Sequence, residues 1–164
     1  MKAQRQAPIW AVLVGLLVVC TAVVLLAVKL TPVPEHIHAH LSISVDGVQQ
    51  EVPANIGIDA ATNVTQPLHT HDTTGILHVE SPVQRTFTLG DFFVRSWHQQ
   101  LDSTRVGDNV ISPSETLTVF VNQQPVQGDP ADIVLTNKMD IDLVFTSAGT
   151  TASPSAPFDW PPQY

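Results

Sequence analysis

Apolar and polar residues alternate strictly through His36–Val45, "HIHAHLSISV". A period of two marks a half-buried β-strand. It sets Ile37, Ala39, Leu41, Ile43 and Val45 on one face and His36, His38, His40, Ser42 and Ser44 on the other. Asp46-Gly47 follows as a strong hairpin signal, and "VQQEVP" reads as the returning strand. Residues 54–67, "ANIGIDAATNVTQP", hold turn formers with little periodicity and read as a loop. "GILHVESP" alternates again, with Leu77 and Val79 against His78 and Glu80, and Pro82 stops it. "RTFTLGDFFVRSWHQQL" predicts a strand that turns helical near 89–100. Thr88 and Asp91 have capping-box spacing, and Leu89, Phe92, Phe93 and Trp97 form one apolar stripe. "ETLTVFVNQQPV" and "DIVLTNKMDIDLVF" predict at least three more strands. The pattern is that of a mainly β domain with one short helix (α+β, β-grasp-like or a sandwich), chiefly antiparallel and without internal repeats.

One stretch lacks any period. "PIWAVLVGLLVVCTAVVLLAV", residues 8–28, is uncharged and 21 residues long. At about 1.5 Å per residue it reaches roughly 30 Å, the thickness of a hydrocarbon core. This predicts a single N-terminal transmembrane helix. A cleaved signal peptide is the alternative, but its apolar region is normally ~7–15 residues, and "LLAVKL" is a poor cleavage site. Val19 before Cys20 argues against lipoprotein processing. Lys2 and Arg5 precede the run and only Lys29 follows it. The positive-inside rule then keeps the N-terminus cytoplasmic and exports the rest, so the run reads as a signal anchor in the cytoplasmic membrane. The expected organisation is 1–30 cytoplasmic stub and anchor, 31–35 "TPVPE" spacer, 36–146 extracytoplasmic β domain, and 147–164 tail. The tail is small, polar and proline-rich and should lack regular structure. Its Phe158, Trp160 and Tyr164 leave two readings open, packing back on the domain or docking a partner.

Charge narrows the function classes. Beyond residue 30 there are four cations and all fifteen acids, a formal −11. Such a surface repels phosphate backbones, so nucleic acid is not an expected partner. Cys20, inside the apolar run, is the only cysteine. The exported part therefore has no disulfide and no thiolate ligand, which excludes cysteine zinc sites and blue-copper sites.

Six of the seven histidines fall in two short segments, "EHIHAHLSIS" and "LHTHDTTGILHVE". Histidines two apart on a strand have α-carbons about 6.5–7 Å apart, so two imidazoles can converge on one ion. Three in a row span about 13 Å, too far for one ion to use all three. His38 and His40 from the first segment, with His69, His71 and His78 from the second, are the expected ligands of one transition-metal site. His36, beside the spacer, is the outsider. Asp72 and Glu80 would ligate or orient an imidazole. A lone histidine is ordinarily a surface or hydrogen-bonded residue, and His98 fits that description. The two clusters together favour metal binding, because imidazoles packed merely as hydrogen bonders cost stability whenever they protonate. The donor set suits zinc, copper(II), nickel or non-haem iron, with copper or zinc foremost.

These segments resemble a known pattern: "HIHAHLSISVDGVQQEVPANIGI", then "PLHTHDTTGILHVESPVQRTFTLGDFF", and more weakly "VFVNQQPVQGDPADIVL". The chain is similar over residues 36–97 to an uncharacterised family of small exported or membrane-anchored histidine-rich β-domain proteins of archaea and bacteria. The family pattern falls on His36, His38 and His40, on "PANIGI" at 53–58, on His69, His71, Asp72, His78 and Glu80, and on "FTLGDFF" at 87–93. Where some members carry a cysteine before "LHTHD", this chain has "NVTQP". The resemblance implies a prokaryotic source and an extracytoplasmic β-rich domain, and it supplies no reaction.

Three functions compete: a membrane-anchored metal-binding module for copper or zinc handling, a metalloenzyme with a His/carboxylate site, and a non-metal structural or interaction domain. The sequence has no HExxH helix and no GxSxG turn. "HTHDTTGILHVE" has only a faint cupin flavour, since Glu80 lies too far from His71. Membrane and metal ion are the expected partners, and whether a protein partner exists stays open.

Overall fold

The computed structural model of the chain describes residues 8–30 and 34–164. Lys2 and Arg5, on which the orientation reading rests, lie outside the described residues, as do residues 31–33 of the spacer. The chain divides into two units, 1–33 and 34–164. In the first, α1 (Ile9–Leu30) is a 22-residue helix with no acidic residue in its first turn. Its Ile9–Leu26 stretch is long and apolar enough to cross a membrane, the one such helix among the described residues.

The second unit is built on strands. They are β1 (Glu35–Val45), β2 (Val48–Gln50), β3 (Ile58–Asp59), β4 (Val64–Thr65), β5 (Leu68–His69) and β6 (Ile76–Ser81). A helical turn, α2 (Leu89–Asp91), then runs directly into a π-helical turn, Phe92–Trp97. After it come β7 (Leu101–Asp102), β8 (Arg105–Val106), β9 (Asn109–Val110), β10 (Glu115–Val121), β11 (Gln124–Val126) and β12 (Met139–Ser147). The main sheet has the order β11–β10–β12–β1–β6–β5, and β2 also pairs with β1. β1 is long enough to hold β6 along its first half and β2 along its second.

The hairpin at Asp46-Gly47 closes in two residues, Val45 opposite Val48. Asp46 and Gly47 have φ of 47° and 81°, the left-handed pair of the turn whose twist matches the flanking strands. The mainly antiparallel expectation needs one amendment: β1 and β12 are parallel, with Leu41 beside Ile141 and Ile43 beside Leu143. The sheet is therefore mixed, and its two longest strands are the parallel pair.

One face of this sheet is the core. Ala39, Leu41 and Ile43 of β1 join Leu77 and Val79 of β6, Ile141 and Leu143 of β12, and Leu68 of β5, all buried. Leu89, Phe92 and Phe93 pack into the same cluster and are fully buried. The capping box holds: Asp91 N donates to Thr88 Oγ1 at 3.1 Å, and Thr88 N donates to Asp91 Oδ2 at 3.2 Å. The helix expected over 89–100 is shorter, because an α turn opens into a π turn that ends at His98 in left-handed conformation, φ 58°. The wider turn lets adjacent Phe92 and Phe93 share the buried side.

One strand expectation fails: before the helix there is only an isolated bridge, Thr88 to Val134, whereas the three strands expected over "ETLTVFVNQQPV" and "DIVLTNKMDIDLVF" are β10, β11 and β12. Leu89 N donates to Ile133 O and Leu135 N to Phe87 O, so two irregular segments satisfy each other instead. The "loop" at 54–67 contains the small hairpin β3–β4, and residues 101–110 form a three-stranded meander that no alternation announced.

Candidate metal centre

The face opposite the core carries the histidines. Residues directly opposite on antiparallel strands project to the same side. On β1 and β6, His36 faces Glu80 and His38 faces His78; on β5 and β6, His69 faces His78. Three adjacent strands therefore present His38, His78 and His69 side by side.

His71 joins them from the loop after β5, and Thr70 is the reason. Thr70 is fully buried. Its N–H donates to Ile56 O at 3.1 Å and its hydroxyl to Pro53 O at 2.8 Å, while Ile56 N donates back to Thr70 Oγ1 at 3.0 Å. The "PANIGI" segment thus pins Thr70, the residue between two histidines, and leaves His69 and His71 on the same side of it. The loop closes through Asp72, which accepts from Thr74 N at 2.9 Å and from the Thr74 hydroxyl. Gly75, φ 82°, then returns the chain to β6.

One ligand nitrogen from each of His69, His71 and His78 lies within 4.8 Å of the other two. The centre of such a triangle is at most about 4.8/√3, or 2.8 Å, from each nitrogen. Small ring rotations close that to the ~2.0–2.1 Å of a zinc–imidazole bond. Ring centroids are 4.4 Å apart for His71–His78, 4.8 Å for His69–His71 and 5.2 Å for His69–His78. His69 and His78 are buried and His71 is exposed.

The electrostatics favour the neutral form of the two buried rings, His69 and His78. Burial, then the neighbouring His71, His38 and His69, push His78 down to about 4. Burial also lowers His69, against the opposing pull of the Gln66 carbonyl and Glu80. A neutral imidazole has one lone pair to give, which metal binding requires. In His69 the choice of nitrogen is fixed: Nδ1 lies 3.0 Å from Gln66 O, so Nδ1–H donates there and Nε2 carries the lone pair.

The other expected residues are placed as follows. His38 packs edge-on against His78, ring centroids 4.8 Å apart, and burial lowers its pKa. His36 and Glu80 stand 3.4 Å apart on the exposed rim. His40 is on the same face as His78 but is engaged elsewhere, with Nδ1 2.7 Å from Asp140 Oδ1 and its ring stacked on Phe158 at 3.8 Å. Asp72 is exposed and occupied with Thr74, whose hydroxyl and amide hold its carboxyl below the usual range. His98 is apart from the cluster and lines a cavity of about 570 Å³ with Asn55, Asp59, Gln66 and Trp97.

Four residues on the histidine face were not anticipated as parts of it: Asp140, Asp142, Phe158 and Tyr164. The two acids had a signal. "MDIDLVF" alternates Asp140 and Asp142 with Met139, Ile141 and Leu143, as "HIHAHL" does with its histidines. Comparison with known proteins finds no matching family model, no matching curated protein and no matching solved structure.

Proposed function

We propose that the chain is a membrane-anchored extracytoplasmic module that binds one transition-metal ion, copper or zinc, through His69, His71 and His78. The observation that carries this is the convergence of three imidazole nitrogens within 4.8 Å, two of them on buried rings. His38 is the next imidazole in reach. His36, Glu80, Asp72 and His40 are surrounding groups in this reading, each with a partner of its own. The apolar α1 supports the anchor, and the cations of the flanks support export of the domain. The resemblance to exported histidine-rich β-domain proteins of archaea and bacteria agrees with it.

A β-grasp arrangement is the fold we infer. Its support is the sequence of parts: an N-terminal hairpin β1–β2, a helical turn on the core face, a hairpin β10–β11, and β12 parallel to β1 between them.

A catalytic reading has one observation in its favour. Three histidine ligands with one exposed ring leave a coordination position for water, as hydrolytic zinc sites do. A free general base is the missing part among the described residues, since Glu80 stands against His36. Asp72 is nearest in sequence, but its carboxylate is held by Thr74 and kept acidic. Metal binding without catalysis is therefore the better-supported function.

Calorimetric titration of the untagged full-length chain in detergent tests the reading. Zinc and copper(II) should each bind at one ion per chain. His78→Ala should abolish that binding and His98→Ala should leave it intact. Absence of binding, or equal binding by both variants, contradicts the proposal.

A further inference from the structure

We infer that the carboxy-terminal segment 150–164 forms a wall of the metal site, with Tyr164 as the positioning residue that holds His78 in its ligand orientation; this rests on the metal-binding reading above. The segment has no strand and no helix. Even so, it is docked on the histidine face at a series of built contacts. Ser155 N donates to Asp142 Oδ1 at 3.2 Å, and the Ser155 and Ser42 hydroxyls are 3.0 Å apart. Phe158 N donates to Asp140 Oδ2 at 3.1 Å, and its ring lies on His40 at an interplanar angle of 12°.

The two carboxylates explain why the segment stays. Asp140 and Asp142 are 7 % and 1 % exposed. A buried carboxylate needs donors, and the backbone N–H groups of Phe158 and Ser155 are among them. Undocking would strip both acids of a partner. Pro154, Pro157, Pro161 and Pro162 restrict the undocked chain, so docking loses less entropy than it would for a flexible tail.

The docked segment leads to the site. Along β1 the order of contact is Ser42, His40, His38, and along the tail it is Ser155, Phe158, Tyr164. The Tyr164 ring packs on His38 at 4.6 Å and on His78 at 5.6 Å between centroids. His78 is thereby in contact with four rings: His69, His71, His38 and Tyr164. A ligand ring held in place before the ion arrives loses less freedom on binding, which is preorganisation. Thermodynamic reciprocity then couples the two events. If the docked tail favours the ion, the ion must favour the docked tail by the same factor.

The test uses the untagged full-length chain in detergent, with zinc as the probe. Tyr164→Ala should weaken zinc binding by roughly fivefold or more. Tyr164→Phe, which keeps the ring, should restore wild-type affinity. Zinc should slow hydrogen exchange of the Ser155 and Phe158 amides in the unaltered chain, and should do so much less in Tyr164→Ala. Unchanged affinity in Tyr164→Ala, or exchange at those amides indifferent to zinc, overturns the inference and leaves the metal site standing. Weakening by Tyr164→Phe as well overturns packing as the cause. No zinc binding by the unaltered chain overturns both the inference and the reading beneath it.

Discussion

The His69 ring and the Gln66 carbonyl are 3.0 Å apart through Nδ1. One hydrogen bond thus selects the tautomer of a buried imidazole and leaves the Nε2 lone pair free for an ion. Nitrogen-detected NMR of the metal-free chain should show His69 as the neutral Nδ1–H form at pH 7. On adding zinc, the Nε2 resonance should move and the Nδ1 proton should remain. A His69 found as the Nε2–H tautomer would remove the feature that aims it at an ion.

Acid should destabilise the metal-free fold in a defined window. In the unfolded chain a histidine takes up its proton near the ordinary value of 6.5, whereas folded His78 does so only near 4. Between those values the unfolded state binds more protons, so stability falls as pH falls from about 6.5 toward 4 and is fully present above it. His69 and His38 are shifted in the same direction and add to the effect. The expected loss from His78 is on the order of 2 kcal/mol across the window. Melting temperatures at pH 7.5, 6 and 5 check this. His78→Gln should flatten the decline, and stability that is level or rises on acidification would refute it.

Gly75 ends the "HTHDTTG" loop with φ 82°, a conformation that side chains rarely adopt. A Cβ there would run into the Leu41 carbonyl oxygen and lie 3.1 Å from His40 Nε2. That same strand position is tied to the loop, since Leu41 N donates to Gly75 O at 2.9 Å. Gly75→Ala should therefore cost roughly 2 kcal/mol or more and weaken zinc binding together with stability. Thermal melts and zinc titration of this variant give the answer. Wild-type values in both would show that the loop tolerates other geometries and does not set His71.

What could be read from the sequence was local. The alternation in "HIHAHLSISV" yields β1, its apolar face and its imidazole face, because a strand has only two sides. Asp46-Gly47 and the Thr88–Asp91 pair likewise announce a turn and a cap by their own chemistry. The parallel pairing of β1 with β12 joins residues about a hundred positions apart, such as His40 and Asp140, and no local pattern encodes it. With that pairing hidden, His40 looked like one more ligand, although Asp140 and Phe158 engage it. The meander at 101–110 was illegible for a different reason: two-residue strands are too short to show a period. The tail was half legible: Phe158, Trp160 and Tyr164 left packing back on the domain open, but the backbone N–H groups of Ser155 and Phe158 that hold it leave no composition signature.

X-ray absorption at the zinc edge of the full-length chain loaded with one equivalent of zinc tests the central claim most directly. The account predicts a first shell containing three imidazole nitrogens at about 2.0–2.1 Å, with the multiple-scattering pattern of imidazole lost in the His69→Ala, His71→Ala, His78→Ala triple variant. A shell of oxygen ligands alone, or an imidazole signature that survives the triple substitution, would contradict it.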